Sequence, residues 1–300
     1  MRIKKFVLVI TLLLAGVAQA AGAHAGEARK IMSLSYSPSG LETEAQLNAG
    51  ISEARLRTDL QQLAQYTSRI RTYSTDHGLE RVPAIARELG LKVTLGIWLG
   101  KDRRRNVAAV EKAISAAAAF PDVVDRVLVG NEAVLRSDLP SREVISHMRR
   151  VKTALAGFGT QVSTGETWHI WLTHPELAAA SDFVAAHILV YWDGVASVDA
   201  GPYFAQRFDE LRKAFPNKKI VIAETGWPSG GDPRGGAVPS AQSQADVVRG
   251  FLEQAAAQNY DYNIVEAYDQ PWKVIHEGRV GAFWGILTDD GKPKFALQTP

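Results

Sequence analysis

Eight short segments rich in β-branched and other apolar residues recur along the chain, roughly thirty residues apart. They span residues 30–37, 69–74, 91–99, 125–132, 161–168, 183–192, 219–227 and 263–272. Patterns typical of helices separate them, and strands that alternate with helices form parallel sheets. Eight such units predict a closed (β/α)8 barrel of the TIM type, a single α/β domain over residues 30–300.

The helical patterns place apolar residues three and four positions apart. Two clear runs are Leu56, Leu60 and Leu63, and Val144, Met148, Val151 and Leu155. We expect Ser141 to cap the helix of the second run, Gly157 to stop it, and another helix to begin near Ser240. The sequence has no linker rich in Pro, Gly or Ser that would divide residues 30–300, which supports a single domain.

Composition excludes several functional classes. The 300 residues carry a formal net charge of only +2, so we expect no nucleic-acid partner and favour a neutral substrate. The densest basic run, residues 101–105, is interpreted as a solvated rim. The sequence has no cysteine, the two nearest histidines, His169 and His174, are poorly spaced for metal, and residues 226–236 lack a P-loop lysine. We therefore expect no cofactor and no metal.

The N-terminus has the pattern of a secretory signal peptide. Basic residues precede an apolar stretch over residues 6–18, and a small-x-small site lies at 18–20. We expect residues 1–20 to be a signal peptide and 21–29 a flexible N-terminus. The protein would then be exported to a bacterial periplasm or the extracellular space, with no membrane contact after cleavage, as a monomer. An uncleaved membrane anchor is the alternative.

Two glutamates end predicted strands. The fourth strand finishes in Asn131 and Glu132, and the seventh in Glu224. In a barrel of this type the carboxyl ends of the strands carry the chemistry, and charged residues are costly in an apolar core. Either acid alone could be a helix cap or an ion-pair partner, Arg136 for Glu132. Two acids at matching positions suit glycoside hydrolysis, in which one carboxyl donates a proton and the other attacks the sugar, with burial and mutual repulsion keeping their pKa values apart.

The segments "VGNEAVLR" and "VIAETGWPSGG" resemble the two active-site signatures of glycoside hydrolase family 17, the β-1,3-glucanase family. The resemblance implies a retaining enzyme acting on β-1,3-glucan oligo- or polysaccharides. It makes Glu132 the general acid/base, Glu224 the nucleophile and Asn131 a ligand of the sugar hydroxyl beside the reacting carbon. The segment "GETWHIW" is closer to bacterial members, whereas Gln270 stands where plant members have a glutamate.

Aromatic rings near the predicted strand ends supply flat apolar surfaces on which sugar rings can stack. The resemblance adds Glu166 and Lys273, and it makes Tyr191 the firmest aromatic prediction because relatives place a tyrosine close to the nucleophile. The predicted substrate-binding residues are Asn131, Tyr36, Tyr73, Trp98, Glu166, Trp168, Tyr191, Trp192, Trp227, Trp272 and Lys273.

Two alternative functions remain open. A glucanosyltransferase would use the same two glutamates, because a retaining intermediate can be captured by a second sugar instead of water. We expect Trp168, Trp171 and Trp192 to form its acceptor platform. A non-catalytic glucan-binding barrel is the other alternative, although a binder has no need of both acids.

Overall fold

The computed structural model of the protein describes residues 30–297, so the predicted signal peptide and flexible N-terminus lie outside the described residues. Eight parallel strands form a closed barrel in sequence order, which confirms the predicted single-domain (β/α)8 fold. The strands are β1 (Leu34–Ser35), β2 (Arg69–Arg71), β3 (Lys92–Ile97), β4 (Val124–Asn131), β5 (Gln161–Thr167), β6 (Val184–His187), β7 (Ile220–Thr225) and β8 (Asp261–Ile264).

Among residues 30–297, ten α-helices surround the barrel or lie in its loops. They are α1 (Glu44–Asn48), α2 (Glu53–Leu63), α3 (Val82–Glu88), α4 (Arg103–Ala119), α5 (Ser141–Leu155), α6 (Trp168–Thr173), α7 (Pro175–Ala180), α8 (Ala200–Ala214), α9 (Ala241–Gln258) and α10 (Val274–Glu277). Short 3-10 turns cover Leu79–Arg81, Ser197–Asp199, Pro271–Lys273 and Arg279–Ala282. Within residues 30–297, we find no helix with the length and apolar character needed to span a membrane.

The helix signals in the sequence hold with one correction. α9 begins at Ala241, which confirms the predicted helix start near Ser240, and the Ser240 side chain accepts a hydrogen bond from the backbone N–H of Ser243. The N-cap of α5 is Pro140 and no side chain caps this helix, so the assignment of Ser141 as the cap is wrong. Pro140 has φ −69° and ψ 153°, the extended conformation of a residue that precedes the first helical turn, so Ser141 already lies inside the helix.

Apolar side chains fill the layer between the sheet and the helices, where Leu34, Val93 and Val184 are fully buried. The inside of the barrel is more polar. Asn263 of β8 is buried there and donates hydrogen bonds to the Ser35 hydroxyl and the Ala223 carbonyl. The buried amide thus links β8 to its neighbours β1 and β7, and its polar groups are paired.

The register of the sheet shifts next to Asn131, His187 and Glu224. The shifts fall between Leu128 and Asn131 in the β4–β5 pair, at His187 in the β6–β7 pair, and between Ile222 and Thr225 in the β7–β8 pair. Such irregularities re-aim side chains and are common beside active sites. All three lie at the carboxyl ends of the strands, where they turn polar side chains toward the barrel mouth.

Candidate active site

The two predicted glutamates come together at the carboxyl end of the barrel. Glu132 follows β4 directly, and Glu224 is the penultimate residue of β7. One carboxylate oxygen from each lies within 4.8 Å of the other. The side chain of Glu132 keeps 21% exposure, whereas that of Glu224 keeps 7%. One acid therefore faces the solvent at the mouth, and the other lies deeper.

The backbone holds Glu132 in a conformation that glutamate rarely adopts. Its φ is 55°, in the left-handed region, and it follows Gly130 at φ 92°. Its N–H donates to the Gly165 carbonyl of β5 at 2.7 Å. The buried Glu166 carboxylate accepts hydrogen bonds from the N–H groups of Val134 and Leu135. The turn that presents Glu132 is therefore tied to β5 at several points, which is the support a strained active-site residue needs.

Arg71, the last residue of β2, joins the two strand ends from inside the barrel. Its Nη1 donates to Glu224 Oε1 at 2.8 Å and to the Ala223 carbonyl at 2.7 Å. Its Nη2 donates to Asn131 Oδ1 at 2.6 Å. The guanidinium is only 2% exposed, so these charge-assisted bonds act in a poorly hydrated space. Arg71 fixes the nucleophile candidate and the residue before the acid candidate in one arrangement.

His187, the last residue of β6, lies between the two glutamates. Its Nδ1 is 2.7 Å from Glu132 Oε1, and its Nε2 is 3.6 Å from Glu224 Oε1. The ring is fully buried, and Arg71 Nη2 approaches Nε2 at 3.5 Å. The hydrogen-bond partner of Glu132 is therefore His187 and not Arg136, the alternative considered from the sequence. Arg136 instead binds Asp138 and two backbone carbonyls, those of Asn131 and Leu99.

The electrostatics of the site differ from the expectation for Glu132. Burial acts to raise the pKa of Glu132, but the hydrogen bond with His187 and nearby positive charge outweigh it and lower the pKa below its ordinary value. Glu166 shows the opposite balance: burial raises its pKa to about 7, because two backbone hydrogen bonds compensate only in part. In the ligand-free protein, Glu166 is therefore more readily protonated than Glu132.

Glu132, His187 and Glu224 form a trio whose ligand atoms all lie within 4.8 Å, a spacing that merits a test as a metal centre. The guanidinium of Arg71 already occupies Oε1 of Glu224 and faces Nε2 of His187. A cation would have to displace this fixed positive charge, so the donor set fits a hydrogen-bonded network better than a metal site.

A family model for the BtgE/BtgC glycoside hydrolase domain matches residues 33–285. The chain belongs to this family. The match confirms the family 17 resemblance, and the relatives with curated names agree with it.

The probable family 17 glucosidase SCW10 of Saccharomyces cerevisiae is 30% identical over 243 residues, which cover 80% of this chain and 61% of the relative. The probable β-glucosidase btgE of Aspergillus clavatus is 28% identical over 225 residues, covering 73% of this chain and 39% of the relative. The chain therefore spans less than two thirds of the length of either fungal protein.

Solved structures of the same fold support the architecture. The glycoside hydrolase family 17 β-1,3-glucanosyltransferase from Rhizomucor miehei superposes with a TM-score of 0.78 at 24% identity, covering 89% of this chain and 97% of that one. An endo-laminarinase from Formosa Hel1_33_131 gives a TM-score of 0.77 at 20% identity, covering 87% and 84%. At these identities the comparison establishes the fold.

Five of the aromatic residues predicted to bind substrate are partly exposed: Tyr73, Trp98, Trp168, Trp192 and Trp272. They follow β2, β3, β5, β6 and β8, so they are distributed around the barrel mouth. Trp98 is the most open at 45% exposure, and the Arg136 guanidinium lies 4.2 Å from the centre of its ring. Sugar stacking on these residues stays a prediction.

Four other predicted contact residues lie in the packed interior. Tyr36 is fully buried and donates its hydroxyl to Asp59. Tyr191 is 3% exposed and its hydroxyl donates to the Asp232 carbonyl, so the firmest aromatic prediction places a ring where it supports a loop. Trp227 and Glu166 are also fully buried. Their positions near strand ends are the same as those of exposed rings, and only the covering loops separate the two groups.

Lys273 also differs from the prediction. Its Nζ donates to both carboxylate oxygens of Glu266 at 2.8 Å, and the side chain is 12% exposed. The cation lies 5.7 Å from the centre of the Tyr73 ring. Lys273 is thus an ion-pair partner of Glu266 at the edge of the site, and a sugar contact by its remaining N–H stays a prediction.

Sequence reasoning missed Arg71, His187 and Glu266. Each lies at or just beyond the carboxyl end of a strand, but only β6, which ends in His187, is otherwise apolar. The signal that identified Glu132 and Glu224 could therefore have identified His187, but not Arg71 or Glu266. Their mutual contacts needed the closed barrel, because they come from strands far apart in the sequence.

Proposed function

We propose that the protein is a retaining glycoside hydrolase that cleaves β-1,3-glucan through a covalent glycosyl-enzyme intermediate. The observation that carries the proposal is the approach of Glu132 and Glu224 carboxylate oxygens within 4.8 Å of each other. Retaining glycosidases hold their carboxyl groups about 5–5.5 Å apart, whereas inverting enzymes need about 6.5–9.5 Å to admit water between acid and sugar.

In the first step Glu132, in its protonated form, donates its proton to the glycosidic oxygen as the bond to the anomeric carbon breaks. A carboxylate oxygen of Glu224 forms an ester bond to that carbon from the opposite face. In the second step the Glu132 carboxylate takes a proton from water, the water oxygen attacks the anomeric carbon, and the ester bond breaks. Glu132 regains its proton, Glu224 regains its charge, and the configuration is retained.

The contacts of Arg71 support these roles. Arg71 and His187 both approach Oε1 of Glu224, which leaves Oε2 as the oxygen that attacks. Arg71 also occupies the amide oxygen of Asn131, so the NH2 group of Asn131 remains to donate to a sugar hydroxyl. A preorganised donor at that position strengthens binding of the transition state.

The substrate class rests on the relatives and on the exposed rings. The Rhizomucor miehei enzyme is a β-1,3-glucanosyltransferase whose active-site mutant was solved in complex with laminaritriose. In this chain, Tyr73, Trp98 and Trp272 offer partly exposed faces around the mouth, and such faces stack on pyranose rings. A neutral glucan also suits a formal net charge of +2.

Transfer to a second sugar is the alternative outcome of the same chemistry. Trp168 and Trp192 are partly exposed in the loops after β5 and β6, on one side of the mouth. Trp171 is fully buried and donates to the Ala185 carbonyl, so the acceptor platform contains two tryptophans and not the expected three. We also propose that the protein is exported and that it belongs to a bacterial branch, on the basis of the N-terminal pattern and of "GETWHIW".

A time course of product sizes from reduced and unreduced laminarihexaose tests the proposal. Shortened chains alone indicate hydrolysis, and chains longer than six units indicate transfer. Glu224→Gln should abolish turnover, while Glu253→Gln on the exposed face of α9 is the matched control and should leave it unchanged. Binding of the oligosaccharide by a wild-type protein that never cleaves it would refute the enzyme and favour a glucan-binding barrel.

A further inference from the structure

His187 is a buried, titratable side chain placed between both acids, and the proposed mechanism gives it no role. It belongs to β6, and β5 leaves room for its ring. A Cβ added to Gly165 would meet His187 Nε2 at 2.8 Å and Arg71 Nη2 at 3.1 Å. A side chain at position 165 would therefore disturb the contact between the imidazole and the guanidinium.

The neighbours of the ring bear on which nitrogen carries the proton. Arg71 Nη2 lies 3.5 Å from Nε2, and a guanidinium N–H can only donate. This contact favours an accepting Nε2 and so assigns the proton to Nδ1. Nδ1 lies 2.7 Å from Glu132 Oε1. His187 therefore donates to Glu132, and the tautomer is fixed by the partner on the far side of the ring.

We propose that His187 is the positioning residue of the general acid/base: its Nδ1–H occupies Oε1 of Glu132, so the proton transferred to the leaving group resides on Oε2. This inference rests on the proposed function. Among the described residues, no side chain or backbone group makes a hydrogen bond to Oε2, and the side chain keeps 21% exposure. The free oxygen is thus the one that can reach a substrate in the groove.

Charged groups from four strands face the imidazole. Arg71 of β2 and Glu224 of β7 approach Nε2, Glu132 after β4 binds Nδ1, and Glu166 of β5 lies close enough for its pKa to respond to His187. Arg71 Nη2 also binds Asn131 Oδ1. The orientation of the acid is therefore linked through His187 and Arg71 to the residue that binds the sugar and to the nucleophile.

Two isosteric substitutions separate the donor from the ring. In His187→Asn the amide NH2 falls near the position of Nδ1 and can still donate to Glu132. In His187→Gln the longer side chain moves the amide NH2 away from that position, so the donor to Glu132 is lost. Both variants lose the imidazole and its packing, so a comparison between them isolates the hydrogen bond.

The assay compares kcat/KM on laminarihexaose with kcat/KM on 2,4-dinitrophenyl β-laminaribioside, whose leaving group needs no proton. We expect His187→Gln to lose about 10²-fold on laminarihexaose and less than about threefold on the aryl substrate, because only the first depends on general acid catalysis. His187→Asn should stay within about tenfold of wild type on both. The hydrogen bond from His187 lowers the pKa of Glu132, so its loss should raise that pKa. The basic limb of the pH profile of kcat/KM should therefore move to higher pH in His187→Gln only.

Equal losses on both substrates, with no movement of the basic limb, would show that His187 has only a structural role and would overturn the proposal. Equal behaviour of the Asn and Gln variants would overturn it too. Thermal unfolding of each variant checks that it is folded. A wild-type protein that cleaves neither substrate would instead refute the proposed function, so the two failures are distinguishable.

Discussion

Replacement of Arg71 by methionine tests the network that joins the two acids. Arg71 makes hydrogen bonds to Glu224, Asn131 and the Ala223 carbonyl at 2.6–2.8 Å, and its side chain is 2% exposed. Arg71→Met keeps most of the volume but leaves the carboxylate of Glu224, 7% exposed, without its cation. Loss of one partner of a buried ion pair costs about 3–5 kcal/mol, so we expect the free energy of unfolding to fall by that amount.

Urea unfolding followed by far-UV circular dichroism measures this loss, and a double-mutant cycle locates it. Glu224→Gln removes the unpaired charge, so Arg71→Met should cost about 1–3 kcal/mol less in that background. A loss below about 1 kcal/mol in the single variant, or costs that simply add in the double variant, would refute the reasoning.

A matched control separates stability from catalysis. Arg126 forms an ion pair with Asp261 at the opposite end of the barrel, with both side chains at 15% exposure or less. Asp261 keeps Lys219 as a second cation partner, so Arg126→Met should destabilise the fold by less than Arg71→Met, while kcat on laminari-oligosaccharides stays near wild type. Arg71→Met should lose about 10²-fold or more in kcat, because Glu224 and Asn131 lose their common support.

Three further predictions concern side chains around the site. Trp98→Ala should raise KM for laminari-oligosaccharides about tenfold with little change in the unfolding midpoint, because its ring is 45% exposed and packed mainly against Arg136; an unchanged KM would remove Trp98 from the binding surface. The folded-state pKa of Glu166, about 7, lies above its ordinary 4.5, so wild type should lose stability as pH rises between these values. Urea titrations between pH 4 and 8 give the free energy of unfolding at each pH, and Glu166→Gln should lose about 3 kcal/mol less than wild type over this range. Free energies of the two proteins that change with pH in parallel would contradict the prediction. Tyr36→Phe removes a buried hydrogen bond to Asp59 and should cost about 1–3 kcal/mol with KM unchanged, since Tyr36 is fully buried; a raised KM would return Tyr36 to the site.

The barrel could be predicted because its signals are local. Each strand is a short apolar run bounded by helical periodicity, and eight runs at even spacing leave few alternatives to a closed barrel. Boundaries were less certain. The eighth strand was predicted over residues 263–272, whereas β8 covers Asp261–Ile264. The residues that follow β8 are buried against a loop containing Trp284. A buried loop segment has the same apolar sequence pattern as a buried strand, so the sequence did not show where β8 ends.

The meeting of two acids at the barrel mouth could be predicted because a charge that ends an apolar strand is costly without a use. The same reasoning reached Glu132 and Glu224 but not their partners, since the sequence does not show that Arg71 and His187 point into the same space. The sequence contains the least information on which aromatic residues are exposed and which are buried. Trp98 and Trp227 both follow strands, yet one is 45% exposed and the other fully buried. Exposure depends on loops from other units, which no local pattern encodes.

The central claim is that Glu224 forms the covalent bond to the sugar. Incubation with 2-deoxy-2-fluoro-β-laminaribiosyl fluoride slows the second step more than the first and traps the intermediate, and peptide mass mapping then locates the label. The account predicts one fluorosugar per chain, bound to Glu224, and a β-configured product when the trapped protein is reactivated with laminaribiose. A label on Glu132 or on any other residue, or a first product of inverted configuration, would contradict the account.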